Sequence, residues 1–337
     1  MKNQSNFIIS GNDHFSIGSR EAAKISAVLK TSDPKMVEIW DPSINDEVAK
    51  HIAEALPHLK LTTFTMLGNG ITDSGTKLLV DALQPSKKTL QKVHLLFDQA
   101  SAIGTEHVSK NLLKGSNITS LTFRSLEDSN AGIVTHFKDS QISSAMLIFD
   151  VLNEKGAHAI ANALVESKLV HLTVNRLNFY GDGQNDDEIV GIIADALPRS
   201  PLLSLIISFD NLTDQGVGRI ANALKESSLI NIDIHSNHIS DQRLKLIEAA
   251  LGESKLRSLS IESDKISKGA QKAFKEEVDR IRKIHLENLS NDSNGVSEKS
   301  QSNDSDDVSE TSQSTTNQAL SMSASLMTFI LILSLFI

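Results

Sequence analysis

The 337-residue sequence contains no cysteine, one tryptophan, one tyrosine and six prolines. Without cysteine there is no disulfide framework, no thiolate nucleophile and no sulfur-ligated metal site. Aromatic residues make up 4% of the chain, so a core has to come from aliphatic side chains. There is no excess of basic charge: the formal net charge is −9 and the isoelectric point is near 5.7. That balance speaks against nucleic acid as a partner and against a basic patch on anionic lipid. The eleven histidines form no H-E-x-x-H, and no phosphate loop or G-x-S-x-G elbow occurs. The stretch GDGQNDDE lacks EF-hand spacing and reads as a surface insertion. The sequence therefore predicts no catalytic residue, no metal, no cofactor and no small-molecule substrate. At the N-terminus, MKNQSNFIISGNDHFSIGSR shows no charged segment followed by a long apolar run, so no secretory leader is read there.

What is present is a repeated pattern. In LINIDIHSNHISD, residues 229–241, Ile232 and Ile234 alternate with polar neighbours, the period of a strand. A polar turn leads to Ile239. Asp241 then opens DQRLKLIEAAL, where Leu244, Ile247, Ala250 and Leu251 recur at helical spacing. The same order occupies 202–224 and returns from 256. The helix ends form a ladder: Leu29, Leu56, Leu83, Leu113, Phe137, Leu164, Leu197, Leu224, Leu251 and then about Val278. Its steps are 27 residues, broken by differences of 30, 24 and 33 between Leu83, Leu113, Phe137, Leu164 and Leu197. A period of this size predicts a stack of supersecondary units. The longest step contains FYGDGQNDDE, Phe179 to Glu188, a polar insertion suited to a surface loop.

At these residues the chain resembles a leucine-rich-repeat protein of the ribonuclease-inhibitor-like subfamily, in which every repeat carries a helix. The pattern L-x-x-L-x-L-x-x-N-x-L falls on Leu61, Phe64, Met66, Asn69 and Ile71, and again on Leu202, Leu205, Ile207, Asp210 and Leu212. GVGRIANAL and GAHAIANAL match the helical half. The resemblance implies an α/β leucine-rich-repeat solenoid, a horseshoe with a parallel concave sheet and convex helices. It implies about ten repeats with terminal caps, over 1–285. Pro42, Leu126 and Leu177 interrupt the asparagine column, so irregular turns are expected around 118–140 and 169–188. Strand spacing supports the same shape: strands stack about 4.8 Å apart while helices are about 10 Å across, so the helices fan outward. The family implies a non-enzymatic scaffold for a protein partner, with regulation of a small GTPase in the activating sense as the alternative. Cysteine-rich caps, common on extracellular members, are missing here, which points inward to the cell.

Strand alternation places Trp40, Leu67, His94, Leu96, Arg124, Met146, Ile148, Ile206 and His235 on the inner face, together with Asn175, Ser208, Asp233 and Glu262. The first nine are the predicted partner-binding residues. The N-terminal part of this face is apolar, and an exposed apolar patch marks a partner site. Trp40 is its expected anchor. Phe97, Phe149 and Phe209, at the strand exits, either extend the patch or fold back over the core.

KGAQKAFKEEVDRIRKIHLENL reads as a charged capping helix. Residues 286–318 then become acidic and rich in Ser and Asn, a composition that predicts a disordered linker. Residues 319–337, ALSMSASLMTFILILSLFI, are apolar. The run from Leu326 would be about 18 Å long as a helix, too short for hydrocarbon of about 30 Å, whereas a start at Ala319 gives about 28 Å. The predicted membrane contacts are Leu326, Phe329, Ile330, Leu331, Ile332, Leu333, Leu335, Phe336 and Ile337. The expectation is a tail anchor that leaves the solenoid in the cytosol. The alternative is a glycolipid-anchor signal and a place on the cell surface.

Overall fold

The computed structural model describes residues 6–12, 15–126, 131–177, 185–236 and 238–295. Residues up to Arg282 form one compact unit, and Lys283 to Ile337 a second, of which only the portion to Gly295 is described. The predicted tail, with all nine of its membrane contacts, lies outside the described residues, as does the linker beyond Gly295.

Strand and helix alternate along the first unit. β1 is Asn6–Ser10, α1 Ser19–Ser32, β2 Met36–Trp40, α2 Asp46–Ala53, β3 Thr63–Thr72 and α3 Asp73–Ala82. β4 is Lys92–Gln99, α4 Ala102–His107, β5 Ser120–Ser125, β6 Ser144–Phe149, α5 Glu154–Glu166, β7 His171–Arg176 and α6 Asp186–Ala194. β8 is Ser204–Phe209, α7 Asp214–Leu224, β9 Asn231–His235, α8 Asp241–Leu251, β10 Ser258–Glu262 and α9 Lys268–Gly295. The ten strands form one parallel sheet in chain order, β1 to β10. Apart from a shift past Gly68 between β3 and β4, register is kept from strand to strand, so Met66, Leu95, Phe123, Leu147, Val174, Ile207, Ile234 and Ile261 stand in one row. These residues share a single buried cluster with the helix residues Leu79, Ile160, Ile193, Ile220 and Ile247. The described helices therefore cover one side of the sheet, and none of them covers the other. This is a leucine-rich-repeat solenoid.

The repeat-to-repeat bonds explain the period. In five places an aspartate in the first turn of one helix accepts two bonds from the residue that caps the next helix. Asp46 takes the Thr72 backbone N–H at 2.8 Å and its hydroxyl at 2.6 Å. Asp73 does the same for Ser101, Asp187 for Thr213, Asp214 for Ser240 and Asp241 for Ser267. Each aspartate also sits where the helix dipole favours negative charge. Bonding to the Ser267 hydroxyl and backbone holds the Asp241 carboxyl below the usual carboxylate range. Behind the cap, glycine lets the carboxylate approach: a Cβ on Gly75 would stand 2.2 Å from Asp46 Oδ1, and on Gly104 2.4 Å from Asp73 Oδ1. At the other end of the helix a serine closes four of the units. The Ser140, Ser200, Ser227 and Ser254 hydroxyls donate to the carbonyl three residues back and accept the N–H two residues ahead.

One unit without the aspartate is irregular. α4 begins with Ala102, runs into a wider π turn over Val108–Leu113, and is followed by a 3-10 segment, Gly132–Asp139, in place of an α-helix. This is the expected irregular region. At the second one, Arg176 is fully buried and pairs with the equally buried Asp186, whose other oxygen accepts the Asn211 N–H at 2.9 Å. The pair ties together the two ends of the insertion. α9 continues to Gly295, ten residues beyond the 285 boundary expected for the solenoid.

Replacing Asp214 with alanine removes both bonds to Ser240 and a favourable charge at the start of α7. We expect it to lower the unfolding free energy by about 1–3 kcal/mol, read from urea denaturation. An unchanged midpoint would show that these contacts hold nothing together.

Candidate functional site

The open side of the sheet is built by alternation alone. On each strand the residues between core positions point away from the helices, and the constant register lines them up in rows. One row runs Trp40, Leu67, Leu96, Arg124, Ile148, Asn175, Ser208, His235 and Glu262. The neighbouring row contains Glu38, Thr65, His94, Thr122, Met146, Thr173, Ile206 and Asp233. All nine predicted partner-binding residues stand in these two rows, spread over strands β2 to β9. Phe97, Phe149 and Phe209 are not among them. All three are fully buried in the core on the helix side.

The face is not uniformly open. Trp40, His94, Ile206 and His235 are half-buried. Leu67, Leu96, Met146 and Ile148 are 0–3% exposed, yet stand apart from the helix-side core. Part of the reason is Arg124. Its register partner is Leu96, but its guanidinium reaches Asp98 at 2.6 Å and Asn69 at 2.8 Å, on the exits of β4 and β3. To reach two strands away the side chain must cross β4 beside Leu96 and screen it. Alternation in the sequence finds Arg124 as an inward residue but gives no sign of this clip, because its partners lie 26 and 55 residues away.

Three titratable groups are tuned by this surface. Burial, with Lys92 adding to it, pushes His94 down to about 4, so it stays neutral. Burial also pushes the Asp98 carboxyl up, and Arg124 beside it offsets part of that rise. His235 is raised chiefly by its hydrogen bond to Asp233, against burial and with Glu262 helping, the two carboxylates lying 3.3 and 3.2 Å away. The face thus mixes apolar and polar positions over β2–β6 and becomes polar and acidic at β9 and β10. On the helix side a cleft of about 380 Å³ between the first turns of α5 and α6 is lined by Asn153, Glu154, Lys155, Asn185, Glu188 and Ile189. Among the described residues no group of three His, Asp or Glu side chains could hold a metal ion.

No protein-family model and no curated protein matches the sequence. Among solved structures, the chain is similar to the leucine-rich-repeat-containing protein LegL7 from Legionella pneumophila, at 15% identity and a TM-score of 0.49, covering 82% of this chain and 90% of that one. A Bacteroides fragilis protein is also similar, at 15% identity and a TM-score of 0.45, covering 71% of this chain and 67% of that one. Likenesses at this level carry nothing about function, and the fold assignment rests on the sheet, its register and the repeat of bonds described above.

The two histidines give opposite pH responses. His94 takes a proton less readily folded than unfolded, so its contribution to stability is lost as the pH falls from about 6.5 towards its folded value. His235 takes one more readily, so its contribution is full below about 6.5 and is lost as the pH rises through its elevated folded value. Between about pH 8 and pH 5, His94→Gln should lose less melting temperature than the native protein and His235→Gln should lose more. Parallel shifts in both variants would contradict these assignments.

Proposed function

We propose that the chain is a non-enzymatic scaffold that binds a protein partner on the open sheet face and is tethered to a membrane by residues 319–337. The observation that carries the first half is the two-row face itself: Trp40 and Ile206 are half-buried and keep part of their apolar surface accessible on a sheet side that no described helix covers. Ile206 pairs in register with Asp233 on the next strand, with His235 and Glu262 beyond, so apolar surface there borders a polar rim, as it does in partner sites. The tether rests on composition. No helix among the described residues is long and apolar enough to cross a membrane. Only residues 319–337 have that character in the sequence. A cytosolic solenoid with a tail anchor accounts for both halves.

The burial of Ile148 decides which residues to change. An aspartate there would stand in a site 1% exposed and disrupt folding. Half-buried positions avoid this. Trp40→Ala combined with Ile206→Asp should leave the melting temperature nearly unchanged and reduce recovery of the partner in affinity capture by about tenfold or more, as loss of an anchor does. Full recovery by the folded double variant would remove the face as the site. Acceleration of nucleotide hydrolysis by a small GTPase would favour the regulator reading instead.

The tether has its own test. Full-length protein should sediment with membranes, resist high salt and yield to detergent, because apolar burial is insensitive to ionic screening. A chain ending at Asn317 should remain in the supernatant. Full-length protein found wholly in the supernatant would overturn the tether.

A further inference from the structure

The two ends of the sheet are finished differently. β10 is followed by α9, and its core-side residues Leu259 and Ile261 are buried in one cluster with Phe274 and Ile281 of that helix. Among the described residues, no strand pairs with the outer edge of β1. Phe7 and Ile9 stand in register with the fully buried Val37 and Ile39, yet are themselves only half-buried. Ile8 is 60% exposed, Phe15 41% and Val28, on α1, 50%. Lys30 reaches Glu54, at the end of α2, at 3.8 Å, and so marks the flank of α1 that faces the second unit. Val28 lies roughly 200° round the helix from Lys30, on the opposite, free flank. A repeat array is ordinarily closed by a polar cap, but this end is apolar.

The edge itself is ready for a strand. The Gly11 N–H donates to the Trp40 carbonyl at 2.7 Å. Main-chain groups alternate in direction along a strand, so Phe7 and Ile9 also bond to β2, while Asn6, Ile8 and Ser10 turn theirs to the free edge. All three are exposed. Charge and proline, which ordinarily blunt such an edge, are both missing from residues 3–12, NQSNFIISGN. β10, by contrast, contains Glu262 and is flanked by Arg257 and Asp264.

We propose that β1 is the contact of a two-fold dimer, pairing antiparallel with β1 of a second copy about Ile8. The strand is complementary to its own reverse. Asn6, Ile8 and Ser10 are symmetric about Ile8, so reversal sets Ile8 opposite Ile8 and Asn6 opposite Ser10, and each facing pair exchanges both main-chain bonds. On the core side the same register sets Phe7 opposite Ile9, an aromatic and β-branched pair that stabilises neighbouring strands and covers the half-buried residues of each copy. In a chain of net charge −9, an uncharged edge lets two copies meet without like charges facing each other there. A two-fold axis normal to the sheet keeps both sets of helices on one side and brings the Val28 flanks of α1 together. A head-to-tail contact would have to use β10, whose charged edge and closed core offer no match. The dimer uses the sheet edge, a different surface from the open face that takes the protein partner.

The chain has no cysteine, so Ile8→Cys carries a single thiol, placed at the two-fold axis. Cα atoms of a facing hydrogen-bonded pair are about 5.5 Å apart, within disulfide reach. Full-length Ile8→Cys in mild detergent, oxidised with copper phenanthroline, should cross-link between copies on the order of tenfold faster than Ile103→Cys, an exposed position on α4 away from the edge. Sedimentation equilibrium should give about twice the chain mass for the native protein and the single mass for Ile8→Lys. The melting temperature of Ile8→Lys should stay near native, because the site is exposed. Equal cross-linking of the two cysteine variants, or a monomeric native protein, would overturn the proposal. A folded Ile8→Lys that remains dimeric would put the contact elsewhere and reject β1 as the interface. Protection of the β1 amides from exchange in a native monomer would mean that another segment, such as residues 319–337, occupies the edge, and would reject the dimer equally.

Discussion

The interaction on which the rest of the structure depends is the carboxylate that joins one helix start to the next. Asp46, Asp73, Asp187, Asp214 and Asp241 each hold the cap of the following unit through a backbone N–H and a hydroxyl. Strand pairing fixes the sheet side of each unit at about 4.8 Å, but helices about 10 Å across have no equivalent ladder of backbone bonds between them. The aspartates provide one. They pin the helix beginnings in a fixed relation, and packed apolar side chains fill the rest. Coupling in such an array runs between neighbours, so losing one clamp weakens a boundary rather than a single helix.

One irregularity coincides with a missing clamp. Ala102 offers no carboxylate, and the helices around it distort into a π turn and a 3-10 segment. At the polar insertion the chain uses a buried ion pair instead, Arg176 with Asp186. Such a pair costs desolvation, and breaking either member is more damaging than never having had it. The sheet nonetheless passes through both places without loss of register, so the rows of the open face continue from β2 to β10. A surface that spans irregular units can do so only because strand pairing, and not helix packing, sets the position of its side chains.

Much of this was legible in the sequence. The 27-residue ladder of helix ends, the strand alternation and the inward rows depend on local periodicity, which survives in one dimension. The pairs Thr72-Asp73, Thr213-Asp214 and Ser240-Asp241 contain the clamp in plain view, each as a cap followed by an acid. Their meaning is hidden because the acid's partner is in the next unit, 26 to 28 residues on. Phe97, Phe149 and Phe209 resolved to the core because they follow the last inward position by one residue and so point to the helices. Arg176 and Arg124 were least legible. A charge one residue past a strand centre looks solvated until its distant carboxylate is known, and the screening of Leu96 follows only from that contact.

The open face is the claim on which the functional account stands, and amide hydrogen exchange tests it most directly. Exchange measured on the full-length chain, free and with its captured partner, should show new protection along the strands β3 to β8 and at their exits. The outer surfaces of α3, α5 and α7 should be unchanged. Protection confined to those helices, with the strands untouched, would contradict the account.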